Sequence, residues 1–422
     1  MIQINRNITQ LKPSATLAIN EKVKELRQKG EVVFHFGFGQ SPFKIHHSIT
    51  ATLKKHVDNN HYLPSTGLPA LKKEISLFLL KHQGINFDSD AIFIGPGSKE
   101  LLYQLIYLLE GMFLIPQGSW VSYLPQIKSK GAKYQIIETD YDNDYKLTAD
   151  KLEAICKRYP TIQKTLILNS PNNPTGAVYS ILELNKIANV CKNYGIIVLS
   201  DEIYSQVNFE EEFSPSIATY YPERTIVFGG LSKVFSAGGY RLGFVGIPTT
   251  MKELYKPLQS FFSETFSAVS SPIQYAALKA YQMDSDLHKY IDDSSKILKG
   301  ISEYVYDSLE KIKIKCTRPL GAFYMVIDFE NYRNKLLQLK IKNAVDLSDY
   351  LLKNYKIALL PGQDFYFDEN SLTFRLAFVD FNGEDIYKAY KLKNTINVNF
   401  IKEYASNIYN GIDTLEKFLV KI

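Results

Sequence analysis

The sequence has few cysteines and almost no surplus of charge of either sign. Its three cysteines (Cys156, Cys191 and Cys316) are far apart and odd in number, so they predict neither a disulfide framework nor a metal site. The 49 lysines and arginines nearly balance the 44 aspartates and glutamates, which leaves a net charge of +5. Because these charges are interspersed, they indicate no nucleic-acid or membrane partner. We therefore predict a cytoplasmic protein with free thiols and no bound metal.

The chain also lacks a long apolar run. Its most apolar stretch, residues 101–116, is interrupted by Gln104, Glu110 and Gly111 and is too short to span a bilayer. The first residues, Met-Ile-Gln-Ile-Asn-Arg-Asn, have no apolar core of the kind that a signal peptide needs. The stretch 101–116 is typical instead of a buried helix followed by a strand.

Short apolar runs alternate with amphipathic segments through the middle of the chain. The balance of 45% hydrophobic and 22% charged residues is that of a globular protein, and 422 residues allow more than one folding unit. Short, nearly all-apolar strands that alternate with helices are typical of a mostly parallel sheet with helices on both faces. The predicted strands are 91–94, 165–168, 195–199, 225–228 and 242–246. An amphipathic helix is predicted at 180–193.

A different pattern follows a helical stretch at about 271–310. Three further apolar runs, at 322–327, 356–360 and 372–378, are separated by helical segments and predict a smaller α+β unit. We expect the N-terminal residues to join this unit. The predicted fold class is therefore α/β, with a large cofactor-binding domain at 47–300 and a small α+β domain built from 1–46 and 301–422.

Lys233 lies just beyond an apolar strand, in a glycine-rich segment at 227–243 that also contains Arg241. A lysine in such a loop can be partly withdrawn from water, which favours the neutral amine that forms Schiff bases. A solvated loop lysine is the plain alternative. The groups that surround Lys233 in the fold therefore decide between the two interpretations.

Polar turns follow two other predicted strands. Residues 95–102 form a glycine turn that opens a helix, and such a turn presents backbone N–H groups to an anion such as phosphate. Residues 169–176 contain two prolines and a final glycine, and the Asn173 amide can both donate and accept hydrogen bonds. In open α/β sheets, ligands bind outside the carboxyl ends of the strands, so we expect these turns at one site. Each turn alone is also compatible with an ordinary rigid loop.

Asp201 and Tyr204 follow the predicted strand at 195–199. An aspartate at the buried end of a parallel strand needs a cationic partner to offset its desolvation, and a protonated pyridine nitrogen would supply one. Capping of a helix N-terminus by Asp201 is the alternative. Together with Lys233 and the glycine turn, these residues supply the groups that pyridoxal 5'-phosphate requires, namely an amine, a counter-ion, hydroxyl donors and a phosphate cradle. We therefore predict pyridoxal 5'-phosphate as the cofactor.

These motifs resemble those of the class I/II aminotransferases, which are fold-type I pyridoxal-phosphate enzymes of the aspartate aminotransferase superfamily. The likeness runs in the family's order over residues 37–378. It rests on Ser-Lys at 232–233 with Arg241, Asn-Pro-Thr-Gly at 173–176, Asp-Glu-Ile-Tyr at 201–204 and Tyr-Leu-Pro-Ser-Thr-Gly-Leu at 62–68. The resemblance implies the family's α/β fold and its cofactor.

The resemblance also implies a catalytic set. Lys233 would carry the cofactor as a Schiff base and later move a proton between the substrate and the cofactor. Asp201 would hold the ring nitrogen in its protonated form. Tyr204 and Asn173 would hydrogen-bond the phenolic oxygen of the ring.

A cofactor-binding set follows from the same resemblance. The helix start at Gly97, Ser98 and Lys99 would bind the phosphate together with Arg241, because the planar fork of arginine suits bidentate contacts to phosphate. Trp120 lies at the position of the aromatic residue that stacks on the ring. A core aromatic is the alternative interpretation of Trp120.

Assembly and substrate binding are implied as well. Tyr62 resembles the tyrosine that reaches the phosphate of the neighbouring subunit, which implies a two-fold homodimer with shared active sites. Arg375, within an apolar strand, resembles the arginine that grips the substrate α-carboxylate, and an arginine there is costly without an anion. Gly39 belongs to the turn that approaches the same carboxylate, and Asn173 completes the implied substrate site.

The implied reaction is ping-pong transfer of an amino group from an L-amino acid to a 2-oxo acid. Residues 260–272 contain no arginine or lysine, whereas dicarboxylate-specific relatives place an arginine in about this region. A neutral or aromatic donor is therefore favoured over a strict dicarboxylate donor. A pyridoxal-phosphate-dependent lyase, such as a carbon–sulfur lyase or an aminocyclopropane-carboxylate-synthase-like enzyme, would share Lys233, Asp201 and Arg241 and stays open as the alternative.

Overall fold

The structure, a computed structural model, describes residues 2–9 and 11–422. Its helices are α1 (Arg6–Thr9), α2 (Ala15–Gln28), α3 (His47–Lys55), α4 (Pro69–Gln83), α5 (Ser98–Leu108), α6 (Tyr123–Lys130), α7 (Ala149–Arg158), α8 (Ile181–Tyr194), α9 (Tyr255–Thr265), α10 (Ser271–Tyr281), α11 (Ser285–Lys311), α12 (Arg333–Gln338), α13 (Ala344–Tyr355), α14 (Gly383–Lys393), α15 (Val398–Tyr404) and α16 (Ser406–Lys421). In these described ranges, none of the helices has the length and apolar character that crossing a membrane requires.

The strands form three sheets. They are β1 (Phe34–His35), β2 (Ile92–Gly95), β3 (Met112–Pro116), β4 (Lys133–Ile137), β5 (Lys164–Asn169), β6 (Ile197–Asp201), β7 (Thr225–Gly230), β8 (Gly243–Gly246), β9 (Lys315–Cys316), β10 (Tyr324–Asp328), β11 (Ile357–Ala358), β12 (Leu360–Pro361) and β13 (Thr373–Ala377). The largest sheet has seven strands in the order β2-β8-β7-β6-β5-β3-β4. Its neighbouring strands are parallel except at β8, which runs antiparallel to both β2 and β7.

The register of the large sheet brings the ends of its central strands together. Asn169, the last residue of β5, pairs with Asp201, the last residue of β6. Asp201 in turn pairs with Phe228 near the end of β7. The turns that follow these three strands therefore leave the sheet at the same edge, as we expected from the sequence.

The predicted strands of the large sheet are confirmed, with ends that differ by one or two residues. β5, β6 and β7 are buried along their whole length, because helices cover both faces of the sheet. The helix predicted at 180–193 is α8, which begins after a capping box formed by Ser180 and Glu183. β4 was not predicted. It lies at the edge of the sheet with Lys133 and Tyr134 exposed, so its sequence shows no continuous apolar run.

A second, antiparallel sheet has the order β12-β13-β10-β9. The run predicted as one strand at 356–360 forms two short strands, β11 and β12. β11 pairs in parallel with β1, so the N-terminal residues do join the C-terminal part of the chain. Helix α11 runs across the predicted domain boundary at residue 300 and connects the two parts. The domain division itself stays a prediction.

The three cysteines lie in the core. Each is buried and has a free thiol. Burial raises the pKa of Cys316 to about 12, so its thiol stays protonated at neutral pH. The cysteines therefore act as small apolar side chains in this fold.

The turn after β5 contacts the second sheet through Gly176. The Gly176 carbonyl accepts hydrogen bonds from the backbone N–H groups of Leu320 (2.9 Å) and Gly321 (3.1 Å). Gly176 has a φ of +72°, and a Cβ at this position would lie 2.4 Å from the carbonyl oxygen of Tyr324. The close approach of β10 to this turn therefore requires glycine.

Replacement of Gly176 by alanine is expected to destabilise the protein more than the same change at Gly84. Both glycines have a positive φ, +72° and +66°, so each change carries a backbone cost of about 1–2 kcal/mol. An added Cβ at Gly84 meets no heavy atom within 4 Å, whereas at Gly176 it meets the backbone of β10. The contact should add roughly 1–3 kcal/mol, measured as a lower midpoint of urea unfolding. Equal midpoints for the two variants would contradict this contact.

Candidate active site

A cavity of about 290 Å³ opens where β5, β6 and β7 end. The large sheet supplies one wall, and Tyr324 and Arg375 of the second sheet supply another. The structure brings most of the predicted site residues to this cavity. Those that line it are Gly39, Ser98, Lys99, Trp120, Asn173, Asp201, Tyr204, Lys233, Arg241 and Arg375.

Lys233 is half-buried, and its side chain extends into the cavity. Its Nζ donates a hydrogen bond to the carbonyl oxygen of Gly39 at 2.8 Å. The same atom lies 5.6 Å from the ring centroid of Tyr204 and 5.9 Å from that of Phe323. The Lys233 amine therefore lies beside a backbone carbonyl and two aromatic rings in the cavity, and its role in holding the cofactor stays a prediction.

Asp201 places a buried carboxylate at the end of β6. The hydroxyl of Tyr123 donates to its Oδ2 at 2.7 Å, and the backbone N–H of Ile203 donates to its Oδ1 at 3.4 Å. Burial raises the pKa of Asp201 to about 6, against the opposing effects of these two hydrogen bonds and of Lys233. Residues 203–206 form turns, so Asp201 does not cap a helix and that alternative is wrong.

The turn after β5 is fixed to Asp201 by Asn169. The Asn169 Nδ2 donates to the carbonyl oxygen of Asp201 at 2.7 Å, and its Oδ1 accepts from the backbone N–H of Asn173 at 2.8 Å. These bonds hold the Asn173 side chain at the cavity wall. Its Oδ1 accepts a hydrogen bond from the Nη1 of Arg375 at 3.1 Å.

Arg375 is a buried cation at the boundary of the two sheets. Its Nη2 donates to the carbonyl oxygen of Gly37 at 2.6 Å, and its guanidinium carbon lies 4.4 Å from the ring centroid of Tyr324. Burial lowers its pKa, whereas Tyr324, Tyr204 and Asp364 raise it. Among the residues that the structure describes, its Nε has no hydrogen-bond acceptor. The hydrogen bonds of Arg375 go to neutral acceptors, which leaves its charge available to an anionic ligand.

An anion cradle lies at the start of α5. Gly97 has a φ of +96°, and a Cβ there would lie 2.5 Å from the Nη2 of Arg241. Arg241 donates to the carbonyl oxygens of Gly238 at 3.0 Å and of Pro96 at 3.1 Å, which aims its guanidinium at the helix start. Burial and the nearby Arg241 lower the pKa of Lys99. Lys99 and Arg241 thus line the same cavity as Ser98 at the start of α5, where helix N–H groups and cations favour an anion.

Trp120 is half-buried and lines the cavity. Its ring meets that of Tyr123 edge to face at a centroid distance of 5.4 Å, and the Lys99 Nζ lies 5.3 Å from its centroid. Tyr366 donates its hydroxyl to the Trp120 carbonyl oxygen at 2.7 Å. The indole therefore stands between the anion cradle and Asp201, where it can cover one face of a planar ligand.

Tyr62 is not among the residues that line this cavity. It is 92% exposed, on the loop before α4. Its predicted contact is with a neighbouring subunit. The contact itself stays a prediction.

The chain matches the family model described as aminotransferase class I and II over residues 31–387. It is 34% identical over 379 residues to an aspartate aminotransferase of Geobacillus stearothermophilus, covering 87% of this chain and 93% of that protein. A probable aspartate/prephenate aminotransferase of Aquifex aeolicus is 32% identical over 369 residues, or 85% and 90% of the two chains. The chain belongs to the class I and II aminotransferase family.

A solved structure of a family member shows the same fold. The aspartate aminotransferase of Thermus thermophilus with maleate superimposes with a TM-score of 0.85 at 22% identity, over 99% of this chain and all of that chain. The α/β fold predicted from the sequence is thereby confirmed. So are the predicted family and its cofactor, pyridoxal 5'-phosphate.

The cavity of this aminotransferase fits pyridoxal 5'-phosphate by the chemistry of its donor set. The buried Asp201 carboxylate suits a protonated ring nitrogen, since a cation would offset the burial that raises its pKa. The turn at Gly97, with a φ of +96° that side chains rarely adopt, presents helix N–H groups beside the Arg241 cation, as a phosphate requires. Lys233 supplies the amine.

Several residues of the site escaped the sequence interpretation. Tyr123 and Asn169 hold Asp201 in place, and the sequence interpretation assigned no role to either, although Asn169 opens the turn at 169–176. Tyr324 lies in a strand predicted from its apolar pattern, where a tyrosine is indistinguishable from a core aromatic. Ser232 lines the cavity beside Lys233 and adds a hydroxyl group. In each case the missing signal was the direction of a side chain, which periodicity alone does not supply.

In the cofactor-free protein, Asp201→Asn is expected to remove a pH-dependent penalty on folding. The pKa of Asp201 is about 6 in the folded protein and 3.8 for an ordinary aspartate, so the folded protein retains a proton that the unfolded chain has lost between these values. Its stability should therefore fall as the pH rises from about 4 to above 6, by roughly 3 kcal/mol at most. The amide of the variant does not titrate in this pH range. The stability of the variant should therefore rise relative to that of the wild type as the pH increases from about 4 to above 6.

Urea unfolding of both cofactor-free proteins at pH 4, 5, 6 and 7 measures this difference. A gap between variant and wild type that stays constant with pH would contradict the shifted pKa. With the cofactor bound we expect the opposite order at neutral pH, because the variant lacks the counter-ion for the ring nitrogen.

Proposed function

We propose that this aminotransferase moves an amino group from an L-amino acid to a 2-oxo acid by a ping-pong mechanism, with Lys233 as the residue that carries the cofactor. The observation that carries the proposal is the convergence of three groups on one cavity. They are the Lys233 amine, the buried Asp201 carboxylate and the buried Arg375 guanidinium. They match in turn the aldehyde of the cofactor, its ring nitrogen and the carboxylate of an amino acid.

Lys233 would attach the cofactor and handle the proton of the reaction. When bound, pyridoxal 5'-phosphate withdraws electrons from the substrate α-carbon and so makes its proton acidic. Once the amino acid has displaced Lys233 from the cofactor, the free Lys233 amine is the base best placed to hold that proton, because it already lies in the cavity. The contacts of its Nζ with Gly39 and with the rings of Tyr204 and Phe323 restrict where the amine can move.

The remaining polar residues would orient the two ligands. Asp201, fixed by Tyr123, would pair with the ring nitrogen, and Tyr204 and Asn173 would hydrogen-bond the phenolic oxygen of the ring. Trp120 would stack on the ring. Gly97, Ser98, Lys99 and Arg241 would hold the phosphate at the start of α5.

Arg375 would bind the substrate α-carboxylate in a bidentate pair, in the place of its contacts with neutral acceptors. Gly39 and Asn173 would complete this part of the site. The backbone of Gly39 lies so close to the Tyr324 ring that a Cβ at this position would overlap it. The burial of Arg375 makes the pair strong, since a buried guanidinium gains more from an anion than an exposed one does.

For the donor, we propose a neutral or aromatic L-amino acid, because residues 260–272 contain neither arginine nor lysine. A dicarboxylate donor is the second candidate. Its support is the names of the Geobacillus and Aquifex relatives. A lyase reaction would need the same groups and differs in its products.

Lys233→Ala is expected to lower turnover by roughly 10³-fold or more, because no other amine stands at the same place.

The wild-type holoenzyme, incubated with single amino acids and no oxo acid, should change its cofactor absorbance once. One equivalent of the matching 2-oxo acid should appear per site. The panel contains aspartate, asparagine, phenylalanine, leucine and alanine, so the donor class is measured in the same experiment.

The control is Lys186→Ala, which changes an exposed lysine of α8 and should leave turnover unaltered. Continued release of ammonia without any oxo-acid acceptor would favour the lyase reaction. Full activity of Lys233→Ala would refute the role of Lys233 altogether.

We also propose a homodimer in which Tyr62 completes the phosphate site of its partner. The support is the exposure of this large side chain, 92%, outside the cavity of its own chain. Loss of one hydrogen bond to a phosphate should weaken cofactor binding about tenfold or more in Tyr62→Phe.

Mixed dimers test whether the sites are shared. In an equal mixture of Tyr62→Phe and Lys233→Ala chains, about a quarter of all sites would combine an intact Lys233 with an intact Tyr62 from the partner. Tight cofactor binding and activity should return in that fraction. If Tyr62 acted within its own chain, every site would retain one defect and nothing would return.

A further inference from the structure

His46, His47 and Asp286 bring three possible metal ligands together, and none of the three lines the active-site cavity. His46 directly precedes α3, His47 is the first residue of that helix, and Asp286 lies in the first turn of α11. One ligand atom of each residue lies within 4.8 Å of those of the other two. Within residues 2–9 and 11–422, this is the only such group of histidine, cysteine or carboxylate side chains.

The distances within this group are those expected between two ligands of a small metal ion. The Nε2 atoms of His46 and His47 lie 3.4 and 3.7 Å from the Oδ2 of Asp286. A direct charge-assisted hydrogen bond would be shorter, at about 2.7–2.9 Å. Ligands that lie about 2.0–2.1 Å from a tetrahedral ion are separated from each other by about 3.3–3.4 Å. The two spacings therefore fit neighbouring ligands of such an ion better than they fit direct hydrogen bonds.

The buried His46 imidazole is held in an orientation that suits a metal ligand. Its ring centroid lies 4.3 Å from that of His47 and 5.2 Å from that of Tyr290. Its Nδ1 lies 2.9 Å from the Oγ of Ser48 and 3.4 Å from the Ser48 backbone nitrogen. A metal at Nε2 requires the tautomer in which Nδ1 carries the hydrogen, and the Ser48 Oγ can accept it. Most ligating histidines donate their second N–H to a partner in this way.

The dipole of α11 accounts for only part of this arrangement. A carboxylate in the first turn of a helix is favourable, and Asp284 already caps α11 by accepting from the N–H of Leu287 at 2.9 Å. This effect explains an acidic residue at position 286. It does not explain why two imidazoles from another helix lie at ligand spacing from one oxygen of Asp286.

We propose that His46, His47 and Asp286 bind a zinc-type divalent transition metal ion, with water as a further ligand. Zinc accepts imidazole nitrogen and carboxylate oxygen, whereas magnesium and calcium take oxygen ligands. The His47 and Asp286 side chains are 77% and 70% exposed, so both the ion and the water have access. Our prediction of no bound metal rested on the cysteines, and this group, with residues far apart in the sequence, forms only in the fold.

The ion would link the start of α3 to the start of α11. The segment before α3 runs from the active-site cavity, where the Gly39 carbonyl accepts from Lys233, to His46. Tyr290 of α11 donates its hydroxyl to the Lys44 carbonyl of this segment. The ion adds a second link between the same two parts of the chain. Its role is structural, and it does not depend on the reaction proposed above.

The test is isothermal titration calorimetry of the holoenzyme with ZnCl₂, after a chelator and dialysis have removed bound metal. We expect one tight Zn²⁺ site per chain and no binding of Mg²⁺ at the same concentration. Ser48→Ala removes the partner of the His46 Nδ1 and should weaken Zn²⁺ binding about tenfold or more. His47→Ala and Asp286→Asn each remove a ligand itself, and each should weaken binding by about 100-fold or more.

His288→Ala is the matched control. The Nε2 of His288 lies 2.8 Å from the Oε1 of Glu212, so this variant also removes a histidine of α11 that contacts a carboxylate. Its Zn²⁺ affinity should equal that of the wild type. Thermal unfolding in excess chelator shows whether each variant retains its fold. Added Zn²⁺ should raise the unfolding midpoint of the wild type and of His288→Ala, and not that of His47→Ala or Asp286→Asn.

Several outcomes would overturn this site. The wild type would then bind no Zn²⁺, or bind Mg²⁺ equally well. Unchanged Zn²⁺ affinity in folded His47→Ala or Asp286→Asn would assign the bound ion to another place, such as the phosphate of the cofactor. None of these results alters the roles proposed for Lys233 and Asp201, because the metal group lies outside the residues that line their cavity.

Discussion

The Asp201 carboxylate is buried at the end of β6, and several residues of the site hold it there. Tyr123 donates to it, and Asn169 ties its backbone to the turn after β5. These contacts are made by neutral groups, which reduce the cost of a buried charge without cancelling it. A positive group in the cavity would offset the rest. The two ends of the same cavity carry the opposite charge, with Arg241 on one side and Arg375 on the other. The arrangement therefore suits a ligand with a central cation and anionic ends, as a phosphorylated pyridinium bound to an amino acid would be.

Arg375 connects the site to both sheets. It belongs to β13 of the second sheet, yet its hydrogen bonds reach Asn173 in the turn after β5 and Gly37 near the N-terminus. The close approach of Gly176 to the backbone of β10 fixes the same boundary. A small shift between the sheets would break these short contacts together. The position of the cation that we assign to the substrate carboxylate is thus set by packing far from the charge itself.

The sequence allowed the buried strands and the chemistry at their ends to be predicted, for one physical reason. Parallel strands covered on both faces are continuously apolar, so a polar residue such as Asp201 or Asn173 just past such a run stands out. β4 could not be predicted, because an exposed edge strand loses that apolar signal. Tyr324 could not be recognised either, since a phenol within an apolar strand looks like core until its hydroxyl is placed. Capping of a helix by Asp201 was a sound alternative from propensity, and only the turns at 203–206 exclude it.

At two glycines of this site the backbone comes close to the side chains that we assign to the ligands. At Gly97 a Cβ would meet Arg241, and at Gly39 it would meet Tyr324, so in both places the chain itself approaches the functional groups. The Gly39 carbonyl is the more consequential of the two. It accepts hydrogen bonds from the Lys233 amine and from the Tyr324 hydroxyl, and a carbonyl oxygen has a lone pair for each. One backbone atom therefore holds the Lys233 amine and the Tyr324 hydroxyl side by side at the cavity.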